Sequence, residues 1–103
     1  MLGRRRFADL VSRQLDLFER EHADVIAEAQ ARLDAYNRAD REDAEELYGD
    51  YVDAVETGTE LLADIRWSYW KTLDDETAEE YEAEFNRAAT KRFARFGFEL
   101  GNR

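Results

Sequence analysis

The chain has no cysteine and no proline, and it has one histidine and five glycines among its 103 residues. Without cysteine there are no disulfides and no thiolate metal sites, and redox chemistry gives no hint of compartment. Without proline nothing forces a helix to stop, and interruptions should be rare. Long apolar runs are missing too. The segment after Arg4–Arg6, Phe7-Ala8-Asp9-Leu10-Val11-Ser12-Arg13, carries charges where the core of a signal peptide would be apolar. No stretch approaches membrane-spanning length, so neither a signal peptide nor a membrane span is expected, and cytoplasm is the default location. A glycine-rich phosphate loop is absent, and no serine lies near His22 in sequence or helical register. Hydrolase, kinase and dinucleotide-binding readings therefore have no support.

Charge of one sign is plentiful. Twenty-five acids against fifteen bases give a net charge of −10, which repels phosphates and argues against duplex nucleic acid as a partner. The excess is uneven. Residues 1–20 hold five bases and three acids, residues 21–86 hold five and twenty-one, and residues 87–103 hold five and one. Charged residues make up 39 % of the chain. They fall in faces rather than blocks, as in a solvated helical bundle rather than a disordered chain.

Thirteen aromatics supply core bulk. Alanine, glutamate, arginine and leucine dominate, and all four favour helix. Ala44, Leu47, Tyr48, Tyr51, Val55, Gly58, Leu62, Ile65, Tyr69 and Leu73 share one face at 3.6 residues per turn, opposite Glu42, Glu46, Asp53, Glu60 and Asp64. This stripe predicts a helix over 43–73. A second stripe (Phe7, Val11, Phe18, Val25, Ala29, Tyr36) predicts a helix over 5–38. A third (Ala78, Tyr81, Phe85, Ala89, Phe93, Phe96) predicts one over 77–96. Thr77 with Glu80 fits a capping box at the start of the third helix. Gly97 is read as its C-cap, and 97–103 as a flexible tail in which Phe98 and Leu100 are able to fold back. Thr57 with Glu60 also fits a capping box, so the alternative is four helices with a break at Gly58. The apolar phase runs through Gly58 without a slip, which favours continuity.

The expected fold is thus an all-α, up-down-up, three-helix bundle forming one domain over 1–103. Two helices of about 45–50 Å outreach a third of about 30 Å. The hairpin tip is left uncovered, with Ile26, Leu33, Tyr36, Leu47, Tyr48 and Tyr51 as an apolar surface on which two copies would pair.

Two polar constellations stand out. Pairing the helices about their turns puts His22, Gly58 and Arg92 at one level, a polar core layer in which Gly58 leaves room for the imidazole. Glu19 and His22 form a Glu-x-x-His spacing. Ferritin-like bundles use that spacing, doubled, to hold two metal ions, and a dimer would supply it twice. The function expected from these residues is non-catalytic: an acidic helical interaction or scaffold protein acting as a homo-oligomer, or docking another protein, without a cofactor. The alternatives are a dimeric carboxylate/histidine protein holding iron or manganese at Glu19 and His22, and a bundle that binds a small anion beside Arg92.

Overall fold

The computed structural model describes residues 6–103. Among them the chain forms five α-helices and a 3-10 turn, with no strand. They are α1 (Ala8–Glu21), α2 (Ala23–Asn37), α3 (Arg41–Trp70), α4 (Asp75–Arg92), α5 (Ala94–Gly97) and the turn Leu100–Asn102. The all-helical class read from the sequence is what forms. The count of three is not. The first expected helix is divided, the third is divided at Phe93, whose backbone leaves helical geometry at φ −129°, ψ 66°, and the C-terminal tail is structured. The expected start at residue 5 lies outside the described residues.

The first division falls at His22, whose backbone leaves helical geometry at φ −121°, ψ 34°. The hydrogen-bond ladder tightens there: the His22 carbonyl accepts from the Val25 and Ile26 N–H groups, while its own N–H still donates to the Phe18 carbonyl. Neither glycine nor proline is involved. The cause is tertiary. α1 lies against α4, whereas α2 lies against α3, so a rod that must change partner bends where the change occurs.

α3 passes through Gly58 unbroken for 30 residues, about 45 Å. The threonines flanking Gly58 explain why no cap forms. Thr57 Oγ1 donates to the Asp53 carbonyl at 3.1 Å, and Thr59 Oγ1 to the Val55 carbonyl at 2.9 Å. Each bonds back one turn inside the helix instead of capping a new one. α4 starts two residues before the expected Thr77: Asp74 is the cap, its Oδ1 accepting the Thr77 N–H at 2.9 Å, so Thr77 lies in the first turn and does not open a capping box with Glu80.

The tail expected to be flexible folds back onto α3 and α4. Phe96 and Leu100 are fully buried. The segment's own N–H groups meet some of its carbonyls, and side chains from α3 and α4 reach three of them. Thr59 Oγ1 approaches the Phe96 carbonyl at 2.9 Å, Thr90 Oγ1 the Gly97 carbonyl at 3.2 Å, and Arg66 Nη1 the Leu100 carbonyl at 3.1 Å. Gly97 is not a left-handed C-cap, for no glycine has positive φ among the described residues. It is small because a Cβ there would lie 2.5 Å from the Thr90 Cα.

The core is one continuous cluster holding two aromatic groups, and a third, partly exposed, lies beyond it along the rod. Near the α3–α4 turn, Tyr81 meets Phe7, Tyr69 and Phe85. Its hydroxyl donates to Gln14 Oε1 at 2.9 Å, and burial pushes its pKa up to about 12. At mid-length, Phe18 meets Phe93 and Phe96. At the far end, Tyr48 meets Tyr36 and Tyr51. The molecule measures 52 × 24 × 23 Å, with a radius of gyration of 15.6 Å. A compact chain of this length would have about 13 Å. The excess is the α2–α3 tip, which extends two helices thick beyond the rest.

Candidate functional site

Five large apolar side chains are exposed among the described residues: Leu17, Tyr48, Val52, Trp67 and Phe98. Three of them converge on one groove. Tyr48 and Val52 come from α3, and Phe98 from the folded-back C-terminal segment, with exposures of 50 %, 39 % and 80 %. Helical geometry aligns Tyr48, Val52 and Val55 on one strip of α3, three or four residues apart. The C-terminal segment runs alongside that strip because Phe96 and Leu100 anchor it a few residues to either side of Phe98. Phe98 lies between these two anchors and cannot reach the core, so its ring projects at the rim. The groove encloses about 570 Å³. Tyr51, Val52 and Val55 give it an apolar floor. Glu56, Glu99, Arg95 and Arg103 bring two charges of each sign to its edges.

Of the residues singled out as a pairing surface, Tyr48 and Tyr51 line this groove. Ile26, Leu33, Tyr36 and Leu47 are half-buried, within the helices that form the tip. Tyr36 stacks at a tilt on Tyr48, with ring centroids 5.2 Å apart. Val52 lines the groove from the same strip of α3, and Phe98 joins it from the C-terminal segment. Phe98 was readable only as apolar, and its exposure follows from which of its neighbours are buried.

His22, Gly58 and Arg92 surround the same aromatic group, but each does something different. His22 packs against Phe18, with centroids 5.5 Å apart. The space at Gly58 expected to receive the imidazole is taken by Phe96, whose Cε1 lies 2.5 Å from where a Cβ would stand. Arg92 runs over the Phe93 ring and out to α1, where Nη2 donates to Asp16 at 2.6 Å and to Glu19 at 2.8 Å. Those bonds, the one to Glu19 first, hold the guanidinium above its ordinary pKa. The carboxylate of the Glu-x-x-His pair is therefore already engaged by a cation. No group of three or more histidine, aspartate or glutamate side chains stands together as a metal site among the described residues.

The polar side chains that are buried lie elsewhere. Thr59 and Arg66 both face the C-terminal segment. Arg66 Nη1 donates to Asn86 Oδ1 at 2.7 Å as well as to the Leu100 carbonyl. No periodicity marks them, because what turns them inward is a backbone carbonyl more than thirty residues away, Phe96 for Thr59 and Leu100 for Arg66.

No helix among the described residues is long and apolar enough to cross a membrane. Comparison with models of protein families, with characterised proteins and with solved structures gives no match.

Proposed function

We propose that this chain is a non-catalytic helical interaction module that acts as a homo-oligomer. One observation carries the reading: the α2–α3 tip and its adjoining groove leave Tyr48, Val52 and Phe98 exposed together, while Leu17 and Trp67 are the other exposed large apolar side chains among the described residues. Contiguous apolar surface rimmed by polar groups is the mark of an association site. A binding surface fits this arrangement better than a reaction centre.

Light scattering on the chain eluting from a sizing column tests the reading. The expected mass is twice that of one chain at tens of micromolar, falling toward one chain on dilution. A single-chain mass at every concentration, up to the millimolar range, removes self-association.

A further inference from the structure

The groove between α3 and the C-terminal segment offers both halves of a contact. It has an apolar floor at Tyr51, Val52 and Val55, and a projecting ring at its rim, Phe98. We propose that the occupant of this groove is a second copy of the same chain, related by a two-fold axis, so that each Phe98 ring is seated on the floor of the other's groove. This deepens the homo-oligomer reading and rests on it.

Two observations select a second copy over another partner. A two-fold contact uses one patch twice, so that patch must be complementary to itself. Here the ring and its receptor lie side by side, and rotation brings each over the other. The charges obey the same rule. Glu56 and Glu99 line the groove with Arg95 and Arg103, and Glu60 stands beside Arg103, a nearly balanced set on a molecule that carries a net −10. Arg95 is held at one edge by Gln30 Oε1 at 2.8 Å, and Arg103 at the other by Glu60 at 3.6 Å. Two copies approach with least repulsion where their surfaces are neutral and mixed in sign.

Salt therefore separates the possibilities. Screening weakens the general repulsion between two acidic molecules, so a contact at the balanced patch tightens as salt rises. A contact between the acidic tip of one copy and a basic segment of another would loosen.

The test is sedimentation velocity on the full chain and its variants at low and high sodium chloride. Wild type should form a dimer whose dissociation constant falls severalfold as salt rises. Phe98→Asp and Tyr48→Asp should each weaken it about tenfold or more, with unchanged helical circular dichroism because both side chains are exposed. Trp67→Ser removes an equally exposed apolar side chain outside the groove and should leave the dimer intact. A dimer indifferent to both aspartate variants, or one that loosens with salt, overturns this placement and leaves self-association standing. A wild type that is monomeric throughout overturns both.

Discussion

Single residues in this chain have opposite consequences in similar settings, and the two glycines of α3 show it. A Cβ at Gly58 would meet three atoms of the Phe96 ring at 2.5–2.8 Å, and Phe96 is itself fully buried, so the ring has little room to retreat. Around Gly49 nothing lies within 4 Å. Gly58→Ala should cost about 1–3 kcal/mol through overpacking, although alanine is the better helix former. Gly49→Ala should gain about 0.5–1 kcal/mol for that same propensity. Thermal melts of the two variants, measured together, give the signs. At Asp74, the bond from the Thr77 N–H holds the carboxyl below its ordinary pKa of 3.8. A depressed acid stabilises the fold above its unfolded pKa, and that contribution is lost as pH falls through the folded value. Asp74→Ala should therefore lower the melting temperature at neutral pH, and the gap from wild type should close in strong acid. The capping character of this turn was legible in its residues. The opposite roles of the glycines were not, because they depend on what crosses over each one.

At the scale of elements, the long stripe of α3 was legible because its apolar phase never slips. The bend at His22 and the structured C-terminus were not. Phe18, His22, Val25 and Ala29 read as one continuous face, and only the change of packing partner from α4 to α3 bends the rod between them. The C-terminal segment is held by Thr90 and Arg66 donating to its carbonyls, by the Thr59 hydroxyl shared between the Val55 and Phe96 carbonyls, and by the burial of Phe96 and Leu100. Fold-back was foreseeable for an apolar residue such as Leu100, whereas Phe98 stays out. Arg66→Met removes two hydrogen bonds, to the Asn86 side chain and the Leu100 carbonyl, at about 1–3 kcal/mol. Deleting 99–103 removes the Leu100 carbonyl and its buried side chain. In the truncated chain, denaturant melts should show Arg66→Met costing less than in the full chain, because the two changes break one shared contact. Equal costs in both backgrounds would mean that Arg66 acts through Asn86 alone.

For the whole molecule, shape and charge follow from lengths and composition. A 30-residue α3 outreaches an 18-residue α4, and the result is a 52 Å rod with a two-helix tip. That mismatch was legible from the apolar stripes alone. Where the uncovered surface lies was only partly so: Tyr48 and Tyr51 were placed correctly at the tip, while Phe98 joins them only once the C-terminus has folded back. The net charge of −10 should make the fold itself firmer in salt, with a melting temperature that rises as self-repulsion is screened. The central claim is that the groove beside the tip receives Phe98 from a second copy. Isotope-filtered nuclear Overhauser spectroscopy tests it most directly, on a dimer mixed from labelled and unlabelled chains. The account predicts intermolecular contacts from the Phe98 ring to the Val52 methyls and the Tyr48 ring. Intermolecular contacts confined to other surfaces, with none from Phe98, would contradict it.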